Sequence, residues 1–238
     1  MIEATVQGRV LHIALNRPEK RNALNHKLCT QLLKAFDDAE EDGGIGTIVL
    51  SGNGPAFCAG MDLNDDSSQL TDLHERLFTT INRIRKPVIA AVHGAALAGG
   101  TGLAANAHIV VAAADARFGL TEIRIGLWPV LVFRACSLAM GERRTTELSL
   151  TGRLFGAEEA TQYGLVTEIA PDPLQRAYET AASIAEYSPT ALREGLAYVN
   201  QIRNQDWRDA GKSGQIVRDR LMAGSDFRKA VEAFFRKH

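Results

Sequence analysis

Charge is what the middle of this chain lacks: from residue 87 to residue 114 there is no Asp, Glu, Lys or Arg. A run of that length could span a bilayer. It is built from Ala and Gly, however, and carries His93, Asn106 and His108, which suits a buried core better than lipid. Cysteine is scarce too. Cys29, Cys58 and Cys136 have neither the number for a disulfide framework nor metal-ligand spacing, which points to a reduced, cytoplasmic setting and no bound metal. The first residues have no basic head followed by an apolar stretch, so no export signal is read there. A net charge of −1 gives no general pull toward nucleic acid or an anionic membrane. No G-x-S-x-G elbow is present, so serine acyl transfer has no evident nucleophile.

What is there is an ordinary globular composition, 45% apolar and 23% charged over 238 residues, enough for one core domain with an appendage. Residues 2–6 and 10–15 read as a hairpin turning at Gln7 and Gly8. Asn25 is placed to cap a helix whose face is Leu28, Leu32, Phe36 and Ala39, ending at residues 42–44. A buried strand is expected at residues 47–50, then an acidic mobile loop or short helix at Asp65, Asp66, Ser67 and Ser68, then a helix over 70–84. Further strands fall at 88–92, 109–112 and 166–169, with helices at 131–140, 142–150, 157–163 and 174–185. Strands alternating with helices argue an α/β core with parallel pairing over residues 1–185. Beyond residue 185 no strand pattern occurs and basic residues outnumber acidic ones. Phe227, Val231 and Phe234 form an apolar stripe, so residues 186–238 read as a C-terminal helical assembly region.

The uncharged stretch reads as strand, glycine-rich turn, helix: residues 88–92, then Ala98 to Gly102 in a loop, then a helix from Leu103. Such a unit aims free N–H groups at one spot. A second glycine bend, at Ala59, Gly60 and Met61, follows the strand at 47–50. If both bends face one cavity, the N–H groups of Met61 and Gly99 could grip a single oxygen; equally, the glycines could serve only tight turns and close packing. Glu122 follows the apolar block closely, and beside apolar walls its neutral form is favoured, which suits acid–base work. A helix-terminal or salt-bridged Glu, with Arg117 or Arg124, has the same signature. Residues 98–102 do not fit G-x-G-x-x-G, and residues 211–213 end like a P-loop without the leading glycine or strand. His93 and His108 read as hydrogen-bonded core residues, and Cys58 as buried filler.

Taken together, five segments resemble the crotonase, or enoyl-CoA hydratase/isomerase, superfamily: residues 16–25 (N-R-P-E-K-R-N-A-L-N), 56–63 (A-F-C-A-G-M-D-L), 86–100 (K-P-V-I-A-A-V-H-G-A-A-L-A-G-G), 116–126 (A-R-F-G-L-T-E-I-R-I-G) and 150–153 (L-T-G-R). The resemblance implies a spiral of ββα units, a C-terminal helical trimerisation region, and trimers or hexamers. It implies an acyl-CoA thioester whose oxygen binds the amides of Met61 and Gly99, with no cofactor beyond the coenzyme A the substrate carries. It also places the coenzyme along Ala23, Ala59, Asp62 and Leu63, with Lys20 and Arg21 as phosphate neighbours. Deprotonation beside a thioester makes an enolate, and two preorganised amides stabilise that charge.

Two departures bear on the reaction. Hydratases of this superfamily carry a glutamate just after the glycine turn and another at the Glu122 position; the first is Gly102 here. Where many members have P-G-x-G-G-T, this chain has Pro129, Val130, Leu131, Val132 and Phe133. His108 stands where an Asp is usual. One glutamate suits a 1,3-proton shift, 3-enoyl-CoA to 2-enoyl-CoA. Hydration of a 2-enoyl-CoA, with help from Asp72 or Glu75, and non-catalytic binding of a CoA thioester are the alternatives; a nucleotide-binding module is a distant third.

Overall fold

The computed structural model describes residues 1–65 and 67–237, with backbone alone for 67–69 and 237. Asp66, in the acidic stretch, lies outside the described residues; its neighbour Ser67 already begins a helix.

In chain order the elements are β1 (Ile2–Gln7), β2 (Val10–Leu15), α1 (His26–Glu41), β3 (Thr47–Gly52), α2 (Ser67–Arg83), β4 (Val88–Val92), β5 (Ala95–Leu97) and α3 (Gly99–Asn106). There follow β6 (Ile109–Ala112), β7 (Arg117–Gly119), α4 (Phe133–Met140), α5 (Glu142–Thr151), β8 (Leu154–Gly156), α6 (Ala157–Gln162), β9 (Glu168–Ile169) and α7 (Pro173–Ala185). The tail is α8 (Pro189–Ile202), α9 (Trp207–Ala223) and α10 (Ser225–Lys237). Short 3₁₀ turns occupy Pro18–Lys20 and Glu122–Ile125.

The larger sheet runs β1-β2-β3-β4-β6-β9, antiparallel only at the β1–β2 hairpin and parallel elsewhere. Both faces are covered, so β3 and β4 are buried at every residue. Period-2 alternation sorts their side chains: Ile48, Leu50 and Ala90 meet α1, α2 and α3, whereas Val49, Ile89 and Ala91 meet Ala177 and Ala181 of α7. Asn25 caps α1, its Oδ1 accepting the Leu28 N–H at 3.0 Å.

A second sheet, β5-β7-β8, was not legible in the sequence, because three-residue strands are too short to display a period. It sits directly before the glycine run and directly before Glu122, and so sets the position of both. The helix expected from Leu103 begins at Gly99, so the glycines are its first turn. Glycine is intrinsically poor in a helix, but close approach requires it here: a β-carbon on Gly100 would stand 2.1 Å from the Cys58 carbonyl oxygen. Residues 117–119 form β7, parallel to β5 and antiparallel to β8.

His93 is hydrogen-bonded, Nε2 to the Gly54 carbonyl at 2.8 Å. His108 is exposed as a residue, not fully buried in the core, and its Nδ1 accepts the Val88 N–H at 3.0 Å. A carboxylate could accept that same N–H, which accounts for a histidine at this position. Desolvation, then the Arg203 charge, pushes the His108 pKa down to about 4, so the ring stays neutral.

The P-loop-like residues 211–213 lie inside α9, where Ser213 is buried and donates to Gln205 Oε1. In the tail, Trp207 is 96% and Phe235 73% exposed, so a single chain leaves apolar rings outward there. Among the described residues, no helix is long and apolar enough to cross a membrane.

Candidate active site

The site begins with a left-handed pair. Arg21 and Asn22 take φ of 50° and 56°, conformations that Asn tolerates better than most residues. Asn22 is fully buried; its Nδ2 donates to the carbonyls of Asn53, Ala56 and Phe57, and its Oδ1 accepts the Arg17 N–H at 2.8 Å. One side chain thereby fastens the loop at 16–25 to the bend at 53–60. Sequence reasoning passed over Asn22, which entered only as part of the segment 16–25. Asn22→Ala strips the buried carbonyls of a donor and leaves at positive φ a residue that tolerates it less well than asparagine. It is expected to cost about 3 kcal/mol of unfolding free energy, measured by urea denaturation.

From there the backbone pairs Leu24 with Met61 in a parallel bridge. The Leu24 N–H donates to the Gly60 carbonyl at 2.7 Å, and the Leu24 carbonyl accepts the Asp62 N–H at 3.1 Å. In such a bridge the intervening residue's own N–H points to the other side of the strand, and the Met61 N–H has no hydrogen-bond acceptor among the described residues. Gly60, at φ +94°, turns the chain toward the other glycine bend. The two bends touch: a β-carbon on Gly60 would stand 3.3 Å from the Gly99 nitrogen, and one on Gly99 3.6 Å from Gly60 Cα.

Gly99 opens α3, so its N–H has no intrahelical partner, nor any other among the described residues. It is aimed by a strained residue that the sequence did not reveal. Ala98 takes φ 50° and ψ −116°, held there by its N–H to the Gly119 carbonyl at 2.8 Å. The positive end of a helix thus lies against the other glycine bend, where Gly60 and Gly99 touch.

Gly119 also anchors the carboxylate. Its carbonyl and N–H bond Thr101 Oγ1 at 3.0 and 3.1 Å, tying the strand before Glu122 to α3. Glu122 is partly buried, and its Oε2 is enclosed with no hydrogen-bond partner. Neither Arg117 nor Arg124 pairs with it. Desolvation raises its pKa, only partly offset by a backbone hydrogen bond. An unpaired buried carboxyl oxygen is costly unless something else uses it.

The residues read as coenzyme neighbours divide. Lys20, Arg21 and Leu63 are exposed, and neither cation is in an ion pair among the described residues. Ala23 and Ala59 are half-buried along the same rim. Asp62 is 6% exposed and engaged by Arg17, Nη1 to Oδ2 at 2.5 Å. Burial alone would raise its pKa, but hydrogen bonds from Arg17 and the Asn64 N–H outweigh that and hold it low. Asp62 therefore braces the loop along which the coenzyme was expected. Burial pushes Cys58 up to about 12, and its Sγ contacts the Asn22 carbonyl, so it is a filler and not a nucleophile. Asp72 and Glu75, considered as helpers to water, are exposed on the outer side of α2.

The family model described as Enoyl-CoA hydratase/isomerase matches residues 5–238. The chain belongs to the enoyl-CoA hydratase/isomerase family. It is 34% identical to the 2,3-dehydroadipyl-CoA hydratase of Escherichia coli, covering 97% of this chain and 94% of that protein. It is also 34% identical to the mitochondrial Delta(3,5)-Delta(2,4)-dienoyl-CoA isomerase of Rattus norvegicus, over 85% of this chain and 68% of that one. The crystal structure of enoyl-CoA hydratase from Mycobacterium smegmatis superposes with a TM-score of 0.94 at 30% identity, covering 100% of this chain and 96% of that one. The expected crotonase-like mixed α/β fold with a helical C-terminal region is therefore established, and both hydratases and an isomerase are among its relatives.

Within this enoyl-CoA hydratase/isomerase family member, the two sequence departures meet in space. A β-carbon on Gly102 would stand 2.2 Å from Val132 Cγ1 and 2.6 Å from its Cβ. Val132 is 2% exposed, and it precedes α4, which also carries Cys136; the Glu122 charge is felt there and helps raise that thiol. The space a second carboxylate would need is filled by valine, so the two substitutions compensate each other sterically.

Proposed function

We propose that this protein is an enoyl-CoA isomerase that converts a 3-enoyl-CoA into the 2-enoyl-CoA, with Glu122 as the single acid–base group. The observation that carries this reading is Val132 seated on Gly102, where a second glutamate would have to stand, while Glu122 keeps an enclosed carboxyl oxygen with no partner among the described residues. In the first step the Glu122 carboxylate removes a proton from C2, and the C–H electron pair moves into the thioester, placing negative charge on its oxygen. The Met61 and Gly99 N–H groups stabilise that charge. In the second step the protonated Glu122 returns the proton to C4 as the C2=C3 bond forms, which restores the enzyme. A carboxylate whose pKa is raised by desolvation is a stronger base for this shuttle than an exposed one.

Hydration of a 2-enoyl-CoA is the second reading, favoured by relatives named as hydratases. It needs one group to activate water and another to supply the α-proton. Offering crotonyl-CoA and 3-hexenoyl-CoA side by side, and following the 2-enoyl absorbance, separates the readings: the isomerase raises it from 3-hexenoyl-CoA, and a hydratase lowers it from crotonyl-CoA. No enolate exchange at the α-carbon in deuterated water would leave only thioester binding without chemistry.

The steric account makes its own prediction. Gly102→Glu alone is expected to lower the melting temperature, since the new side chain collides with Val132. Gly102→Glu combined with Val132→Gly is expected to restore it and to raise crotonyl-CoA hydration about 100-fold or more, from the lower end of the range assigned to one general acid–base group upward. A double variant no more active than the single one would remove Val132 from the account.

The reading extends to assembly and setting. Lys20 and Arg21 supply phosphate contacts at the rim, and Ala23, Ala59 and Leu63 the wall beside the coenzyme; no cofactor besides the substrate's own coenzyme A is required. The exposed rings of Trp207, Phe234 and Phe235 support burial of residues 186–238 in a homotrimer or hexamer, read by sedimentation. Three buried free thiols fit a reducing, cytoplasmic setting.

A further inference from the structure

We infer that the cavity at the far end of α3 is a second ligand site, which holds a small carboxylate with an apolar tail through Arg203 and His108. It is separate from the two glycine bends, and it does not depend on which reaction they serve.

Helix α3 opens at Gly99, against the other glycine bend, and closes at Asn106. Around that closing turn α2, α3, α4 and α8 leave a cavity of about 440 Å³. The sequence makes the space: the lining positions on α3 and α4 include Ala104, Ala135 and Ala139, whose side chains are too short to fill the gap to α8. Leu138 of α4 with Leu196 and Val199 of α8 completes an apolar wall. Among the described residues, no Asp or Glu lines this cavity. A concave space that joins apolar wall to a few polar groups is the usual form of a small-molecule site.

The polar groups left over are donors. His108 Nδ1 accepts the Val88 N–H at 3.0 Å, so the neutral ring carries its proton on Nε2, for which no described residue is an acceptor. Arg203 follows the last turn of α8, is exposed, and donates from Nη1 to Asn82 Oδ1 at 3.1 Å. The rest of its guanidinium fork is unpaired among the described residues. Asn82 and Asn106 are spent on each other and on backbone: Asn82 Nδ2 donates to Asn106 Oδ1 and to the Phe78 carbonyl, and Asn106 Nδ2 to the Gly102 carbonyl.

A purely structural role for Arg203 would be to complement the negative ends of the helices that meet here. Those ends already have neutral donors. The Asn82 carbonyl of α2 accepts Asn200 Nδ2 at 2.6 Å, and the Ala104 carbonyl of α3 accepts the Ala107 N–H at 3.1 Å. Nor is Arg203 the sole cation: Arg134 of α4 bonds Asn204 Oδ1 at 3.3 Å and has no ion pair among the described residues. Desolvation, then the like charge of Arg134, lowers the Arg203 pKa, the condition that an incoming anion relieves. One fixed positive charge beside one neutral donor matches a monoanion, and the planar fork of arginine matches a carboxylate. The apolar wall takes the tail.

The test titrates the intact protein with hexanoate labelled with ¹³C at its carboxylate, following the ¹³C shift, with saturating butyryl-CoA present. Saturable binding with a Kd of about 1 mM or tighter is expected. The alcohol 1-hexanol has the tail without the charge and is expected to bind at least about tenfold more weakly. Arg203→Gln removes the charge from an exposed, polar side chain and is expected to weaken hexanoate at least about tenfold. His108→Asp can still accept the Val88 N–H but sets a negative charge in the cavity; it is expected to abolish binding with a melting temperature near that of the parent. Hexanoate that binds only when butyryl-CoA is left out would belong to the acyl site and overturn the inference. So would the lack of any saturable binding, equal binding of 1-hexanol, or binding unchanged in either variant.

Discussion

Replacing Glu122 by Gln is expected to lower kcat for 3-hexenoyl-CoA by about 10²–10⁴-fold, the range assigned to a positioned general acid–base group, while KM changes little. Gln preserves the shape of the side chain and cannot carry the proton from C2 to C4. Turnover within a few-fold of the parent would take Glu122 out of the mechanism. The same variant has a thermodynamic signature. Burial raises the Glu122 pKa, so the folded protein holds that proton more tightly than the unfolded chain does. Stability contributed by this group is therefore present at low pH and lost as pH rises through the folded-state pKa. Gln has no such proton. Glu122→Gln is expected to melt above the parent near about pH 8, with the gap closing toward about pH 3, below the unfolded-state pKa, where both states of the glutamate are protonated. Less stability at high pH in the variant than in the parent would mean that the carboxylate has a favourable partner in the folded protein.

The second large effect comes from the backbone. Gly99 is the first residue of α3 and its N–H bonds nothing in the free protein, so proline can replace it without breaking a helical hydrogen bond. Gly99→Pro is expected to reduce kcat by about 10²–10³-fold, the loss that follows removal of one oxyanion donor. Gly99→Ala is the control, because it adds the same β-carbon, which meets Leu24 Cδ1 at 3.2 Å and Phe78 Cζ at 3.3 Å, but keeps the N–H. The ratio of the two variants, with their melting temperatures matched, isolates the amide. Equal kcat in both would deny Gly99 a part in charge stabilisation. A smaller kcat for Ala than for Pro would assign the loss to crowding at Leu24 and Phe78.

Much of the architecture was legible before any coordinates. Residues 47–50 and 88–92 announce buried strands because they are short apolar runs bounded by turn residues, and Asn25 announces α1 because its Oδ1 meets an otherwise orphaned N–H. The short strands β5, β7 and β8 were not legible, since three residues carry no period. Nor was the helix start at Gly99, because propensity speaks against glycine in a helix and only the nearness of the Cys58 carbonyl requires it. Ala98 at positive φ contradicts every local preference of alanine and persists because Gly119 holds its N–H.

The candidate site divides in the same way. The sequence alone determined which residue types were available: two glycine bends, Glu122 a few residues beyond the uncharged block, and glycine at residue 102. Tertiary structure alone decided that the bends touch, that Val132 fills the space before Gly102, and that Asp62 is engaged by Arg17. The reason is physical. Periodicity and backbone propensity act over a few residues and can be read along the chain. The meeting of residues 60 and 99, or 102 and 132, depends on how the whole core closes, and that is a sum over contacts no local window contains.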